Sequence, residues 1–499
     1  MTEQVPFPPL TDPEPSEVFF PPERDEAAPP QPPPGRRHVV LEAIKDNIEA
    51  FTIALILALT IKHFCVEAFK IPTESMWPTL HGEHDTGVGD RILVDKWSYL
   101  LSGPGRWDVV VFRFPLNKSK HFIKRLASPG NEWIRIENGD LWVRPTKEDA
   151  WRIATKRRRV REKVYRRVFP PEDGGDGPAR AAGGDTYWEA EAGWTVETPT
   201  RLAHRGSARS SARFLERIGS QTSAHGDGGW VGGWGSGDIV QDARFLFRIV
   251  PEAGASFELR WKTAEEHETV LRLAAEGDAR GSSVRTRRPG RSTQEALAAR
   301  LVPGRPVEVE LECVDGEVWL HLDGKVVARL DEERPIDEIR AFDDFTQQLE
   351  FTAEGGNLGV EAVRIDRDLY YADDGMYALT PSENGLFVPE SSYFMLGDNT
   401  YSSHDSRKWE LTHVPLRGGG EIVYYNDPRD PPVRHPDGRT TVVDEDGIER
   451  TWGPADLDPA TRVYTERAPL VDRRLVVGRA FLVFWPLFPH PPARAGFIH

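Results

Sequence analysis

From Val39 the pattern of apolar and polar positions turns helical, and Ala50 to Ile61 (AFTIALILALTI) is an uncharged apolar run, extended by His63, Phe64, Cys65 and Val66 around Lys62. A membrane-spanning helix needs about 20 mostly apolar residues. Ile48 to Phe69 reaches that length only with Glu49, Lys62 and Glu67 at the two interfaces, where a lysine can snorkel. The run therefore predicts a membrane helix with its flanks over 39–68, and a buried core helix is the alternative reading. Nothing in it resembles a cleaved secretory signal, since a long Pro-rich arm precedes it and no small-residue cleavage pattern follows. Arg36, Arg37 and Lys45 ahead of the run favour a cytoplasmic N-terminus, against the weaker pull of Lys62 and Lys70 behind it.

Beyond the helix the pattern is β. Arg91–Val94, Asp108–Phe112 and Trp133–Ile136 are β-branched runs bounded by Gly, Pro or Asn-Gly. From about Thr186 to Tyr371 the composition changes. Here Val307, Val309, Leu311 and Cys313 alternate with Glu308, Glu310 and Glu312, and the alternation resumes after Asp315-Gly316 and after Asp323-Gly324. Period-two alternation broken by Asp-Gly predicts antiparallel hairpins. Further strands are expected at Ala243–Val250, Ser256–Lys262 and Val360–Ile365, enough for an antiparallel β-sandwich inserted into the rest. Short hairpins without a site are expected over 417–470, and Leu475–Trp485 reads as a closing strand whose Phe and Trp residues, together with Pro486 and Phe488, could equally meet lipid headgroups. The fold class is thus mainly β.

Composition adds limits. A chain of 499 residues should hold at least two folded units, and a net charge of −16 argues against nucleic acid as a partner. The Pro- and acid-rich segment 1–38 predicts a disordered arm. Cys65 ends the apolar helix and Cys313 lies in a strand-like stretch, so neither a disulfide between them nor a catalytic thiol is expected. The basic run Lys156–Lys163 has two readings, a solvated charged face or a contact for anionic lipid or envelope polymer. Gly228–Gly235, with Trp230 and Trp234, reads as a mobile loop whose aromatic rings could stack on a sugar. His81-Gly82-Glu83-His84-Asp85 could suggest a metal, but it fills an extended turn and is expected to face solvent, so no metal and no cofactor is expected.

Candidate chemistry begins where the apolar helix ends. Phe69-Lys70-Ile71-Pro72-Thr73-Glu74-Ser75-Met76-Trp77-Pro78-Thr79-Leu80 puts one serine on a Pro-flanked stretch, and no histidine of the chain stands in a triad or nucleophile-elbow context. A serine hydroxyl needs a base to attack. His121-Phe122-Ile123-Lys124-Arg125 offers one: a lysine on an apolar strand, where burial disfavours the ammonium. Gly397-Asp398-Asn399-Thr400-Tyr401-Ser402-Ser403-His404-Asp405-Ser406-Arg407 completes the set.

In this order and directly after a membrane helix, the three segments resemble bacterial type I signal peptidase, over about Phe51–Ile136 and Tyr393–Arg407 with an echo at Val477–Ala480. The resemblance implies Ser75 as nucleophile and Lys124 as general base, with the Ser75 N–H and the Thr73 hydroxyl as oxyanion hole. It implies Ser403 as the residue orienting the lysine and Asp405 and Arg407 as a supporting ion pair. Phe69, Ile71, Pro72 and Ile123 become walls of shallow pockets for small side chains, so that Ala-x-Ala sites of preproteins are cut. The peptidase domain would be discontinuous, 69–170 and 372–499, around an inserted domain 186–371, and deletion of about Thr186 to Asp366 should leave some activity. It would stand on the outer face of the cytoplasmic membrane, anchored by one span, with signal peptides and the bilayer as partners and the secretion translocon as a further candidate.

The departures are Trp107 where the family usually has Gly before Asp108, Ala127-Ser128-Pro129-Gly130-Asn131 in place of a Gly-Leu-Pro-Gly-Asp type turn, and the size of the insert. Val318–Val327 is similar to the strand-turn-strand of concanavalin-like jelly rolls, which implies glycan or envelope polymer as a ligand of the insert, or else a spacer or docking module. Two rival readings stay open: a Ser/Lys self-cleaving protease of the repressor type, and a membrane-tethered envelope- or glycan-binding protein with a vestigial peptidase domain.

Overall fold

A computed structural model describes residues 36–83, 88–170, 187–219, 239–332, 334, 336, 347–372, 385–425, 431–486 and 495–498. Most of the Pro-rich arm, the tryptophan-bearing loop, His84, Asp85 and Phe488 lie outside them. The chain divides into two compact units, Met1–Thr60 and Ile61–His499.

In the first unit the apolar run is helical, as part of a helix Arg36–Phe64. Leu55, Ile56 and Leu57 are consecutive and all exposed, so apolar side chains look outward in every direction. No helix among the described residues is long and apolar enough to cross a membrane, in keeping with a run over 39–68 that reaches a span's length only with charged residues at its ends. The reason is length: a dozen residues rise only about 18 Å, against a hydrocarbon core of about 30 Å. Asp46, Glu49 and Lys62 bracket the run.

The second unit is mainly β. An eight-stranded sheet interleaves segments from both ends of the chain, with Val476–Trp485 between Arg91–Asp95 and Val109–Phe114, and Asn117–Ser128 between Val109–Phe114 and Ser392–Leu396. The closing strand read from the sequence is therefore central. A four-stranded sheet follows, in which Glu132–Glu137 pairs with Leu386–Val388 and Asp140–Arg144.

Two large antiparallel sheets, of eight and seven strands, occupy the intervening sequence and share one core. Val307–Val314 pairs with Ala243–Ala253, placing Phe245 opposite Leu311 and Phe247 opposite Val309 on the buried side. Asp315, Gly316, Asp323 and Gly324 all have positive φ, the backbone that two-residue type I′ hairpins require and that Asp-Gly supplies.

The insert begins earlier than its composition suggests. Arg166–Phe169 already pairs with the long strand Asn357–Arg367, and Phe169 is buried in the core of the two sheets. The basic run before it is not a solvated face throughout. Arg161 is buried, its Nε 3.1 Å from Glu312 Oε2, and Lys156 Nζ lies 2.5 Å from Asp315 and 2.8 Å from Asp368. Arg157 and Arg159 remain exposed.

This cluster joins the four-stranded sheet to the two large sheets of the insert, and its charges do not balance. The Lys156 ammonium and the Arg334 guanidinium face Asp140, Asp242, Asp315 and Asp368. Burial pushes the Asp315 carboxyl up to about 7, Lys156 opposing the rise and Asp368 and Asp242 adding to it. Burial and Asp242 hold Asp140 well above the usual range as well. A folded-state value above the unfolded one, about 3.9, adds stability below that value which is lost as pH rises through the folded one. The melting midpoint should therefore carry a component that falls between about pH 4 and pH 7, and Asp315→Asn should flatten it. Thermal melts of both proteins across that range check this; identical slopes contradict it.

Candidate functional site

Ser75 is placed by a strand and a tight turn. Val66–Lys70 pairs with Arg91–Asp95, and Ile71 N–H continues the ladder to Asp90 O at 2.8 Å. The chain then turns through a 3₁₀ helix, Glu74–Met76, closed by Trp77 N–H to Glu74 O at 3.0 Å and pinned by Met76 and Leu80 in the core. Lys124 comes from the strand Asn117–Ser128, opposite Val110. Both are buried, each 4% exposed, and Lys124 Nζ donates to Ser75 Oγ at 2.7 Å and to Ile123 O at 3.1 Å. Thr73 Oγ1 is 3.4 Å from Ser75 Oγ.

Because successive strand residues point to opposite faces, Arg125 turns away from the serine into the interior. It is fully buried and binds Asp398 through Nε and Nη2, both at 2.7 Å, while its Nη1 donates to Trp107 O at 2.6 Å. Trp107 has φ of 74°, a left-handed conformation that costs a non-glycine residue about 1–2 kcal/mol. That is why glycine suits the position. Here the indole stacks on Tyr371 at 6.4 Å, and the Lys156 ammonium lies 5.2 Å from its ring centre.

The third segment closes the site. Asn399 N–H donates to Ser75 O at 3.1 Å. Gly397 has to be glycine, since a Cβ there would fall 2.0 Å from Ser403 Oγ and 2.5 Å from Ser75 O. Asp405 and Arg407 form a fully buried ion pair at 2.8 and 2.9 Å; Asp405 accepts from Gly397 N–H, and Arg407 donates to Ala372 O and Thr400 O. Burial pushes the Asp405 carboxyl up, but Arg407 and the hydrogen bonds it accepts, that from Gly397 N–H among them, together leave the group below its ordinary range. Ser403 is buried beside them, and among the described residues its hydroxyl makes no well-formed hydrogen bond to Lys124.

A cleft of about 490 Å³ opens over the pair. Pro72, Thr73, Ser75, Ile123, Lys124 and Ser403 line it. Two expected walls do not: Ile71 points into the core below, and Phe69 packs on that core with its ring 5.4 Å from His121. His121, Phe122, Tyr401, His404, Lys408 and Tyr425 also line the cleft without having been singled out as site residues. Tyr425 comes from the stretch expected to carry no site, and its pairing to Leu411 with ring contacts to Phe114 and His404 brings it near.

The signal peptidase, peptidase S26, family model matches residues 44–178 and 337–418. Over these two stretches the chain is similar to the peptidase S26 family. Signal peptidase I of Aquifex aeolicus is 41% identical over 90 residues, covering 18% of this chain and 32% of that protein. Probable signal peptidase I-1 of Synechocystis is 35% identical over 103 residues, 19% of this chain and 50% of its own. Signal peptidase I of Mycobacterium tuberculosis is 51% identical over 63 residues, 13% of this chain and 21% of its own. The chain thus spans at most half the length of these relatives. A solved carbohydrate-binding module, CBM66 from Bacillus subtilis, is similar over 36% of this chain and 94% of its own, at 13% identity and a TM-score of 0.24, too slight a likeness to argue from. Ser75, Thr73, Lys124, Asp405 and Arg407 fall within the stretches that match the S26 model.

Proposed function

We propose that this chain is a serine endopeptidase that removes signal peptides from exported preproteins, cutting after small residues of the Ala-x-Ala kind. The observation that carries the reading is the 2.7 Å contact between Lys124 Nζ and Ser75 Oγ inside an open cleft of about 490 Å³. Removal from water disfavours an ammonium, and an uncharged amine at that distance can take the Ser75 proton as Oγ attacks the scissile carbonyl. The tetrahedral intermediate collapses to an acyl ester on Ser75 while Lys124 returns the proton to the leaving amine. Water, deprotonated by the same amine, then frees the signal peptide.

Thr73 Oγ1 and the Ser75 N–H are the donors for the oxyanion. Thr73→Val should lower kcat by roughly 10²–10³-fold, the usual cost of one such donor, with Thr73→Ser close to the parent. Single-turnover cleavage of an Ala-x-Ala preprotein measures this; an unchanged rate for the valine variant removes Thr73 from the hole. N-terminal sequencing of the mature product tests the activity itself.

The helix Arg36–Phe64 serves as the membrane anchor in this reading, with its N-terminus in the cytoplasm and the peptidase outside. Its uncharged stretch Ala50–Ile61 presents apolar side chains all round and needs an apolar surround, and the Thr52 and Thr60 hydroxyls are satisfied within it by Ile48 O and Ile56 O. Glu49 and Lys62 reach the interfaces of a locally thin or adapted bilayer. The insert is read as a β-sandwich joined to the peptidase through Lys156 and Arg166, and glycan or envelope polymer remains its proposed ligand.

A further inference from the structure

One residue joins the insert to the nucleophile. Arg166 opens the strand Arg166–Phe169, opposite Arg367 in the sheet of the insert, and its side chain turns back toward the peptidase. The single nitrogen Nη2 donates to Trp77 O at 2.9 Å and to Asp398 O at 3.0 Å, and the guanidinium lies 4.3 Å from the Trp77 ring centre. Trp77 closes the turn that carries Ser75. Asp398 precedes Asn399, whose N–H holds Ser75 O, and its carboxylate grips Arg125, the neighbour of Lys124. The buried guanidinium thus bridges the two turns that fix both members of the pair. The chain leaving the insert repeats the pattern: Tyr370 O accepts from Thr400 Oγ1 at 2.6 Å, and Ala372 O from Arg407 at 2.8 Å.

We propose that Arg166 is a positioning residue through which the inserted sheets set the distance between Ser75 and Lys124. The proposal rests on the peptidase reading for its kinetic consequence, though its geometric content stands apart from that reading. It also revises the expectation that the insert can be removed with activity surviving. Loss of Asp366 and Ile365 would take two of the three pairing partners of the Arg166–Phe169 strand.

The test uses the full chain in detergent. Arg166→Ala should lower kcat on an Ala-x-Ala preprotein by roughly 10- to 100-fold, the scale of a small misplacement of reacting groups, with KM within about twofold. Arg166→Lys should keep part of the rate, and guanidinium ion below denaturing concentration should restore part of it to the alanine variant but none to Ser75→Ala. In parallel, competitive acetylation read by mass spectrometry follows the pH profile of Lys124, which should shift in Arg166→Ala and stay in place in Arg213→Ala. An unchanged kcat overturns the proposal, as does a loss that tracks unfolding and does not recover with guanidinium. If the parent chain cuts no preprotein, the peptidase reading fails, and the Lys124 profile alone then decides: a shift upholds the role of Arg166, and no shift ends it.

Discussion

Ser75→Ala and Lys124→Ala should each reduce cleavage of an Ala-x-Ala preprotein to the level of the uncatalysed background. A nucleophile and its base act as a unit, so the double variant should lose little more than either single one. Removing the hydroxyl deletes the acyl carrier. Removing the amine leaves a buried Ser75 with no base at 2.7 Å and nothing there to return the proton to the leaving group. Both side chains lie in a cleft and neither fills the core, so the fold should survive, and thermal melts of the two variants should stay near the parent. Retained cleavage in either variant, on correctly folded protein, contradicts the assignment of the pair.

The second large effect is on stability. Arg125→Met leaves the fully buried Asp398 carboxylate without its two-pronged partner and Trp107 O without a donor. Breaking a buried pair by removing one member costs about 3–5 kcal/mol, a large share of the about 5–15 kcal/mol that holds a typical domain. Asp398→Asn in the Arg125→Met background should recover part of the loss, since the uncompensated charge is then gone. Urea denaturation of the single and double variants measures this, and equal midpoints for parent and Arg125→Met rule it out. Because Lys124 is the next residue along the strand, activity should fall with stability in this variant.

The site was legible in the sequence to the extent that it is built from local segments. Ser75 lies on a Pro-flanked stretch and Lys124 on an apolar strand, which local pattern alone singles out, while Ser403, Asp405 and Arg407 are named only by the resemblance that their segment carries. The hairpins of the insert were legible for the same reason, because Asp-Gly between alternating runs fixes both turn and register at short range. Long-range packing was not. Nothing near Arg166 in sequence says that it crosses to Trp77 and Asp398, and Lys156 and Arg161 read as members of a solvated basic run because their carboxylate partners lie far along the chain. The resemblance makes Ile71 a wall of the cleft, while the turn after it sends the side chain into the core. Trp107 was visible as a departure, but the positive φ that explains it was not.

The acyl intermediate on Ser75 is the most direct test of the central claim. The full chain in detergent is mixed with an Ala-x-Ala preprotein, quenched in acid within the first turnover, digested and read by tandem mass spectrometry. The signal peptide should be found in ester linkage to Ser75 in the parent protein and be missing from Lys124→Ala. Cleavage that proceeds in the parent while Ser75 stays unmodified, or an equal amount of ester in Lys124→Ala, contradicts the mechanism.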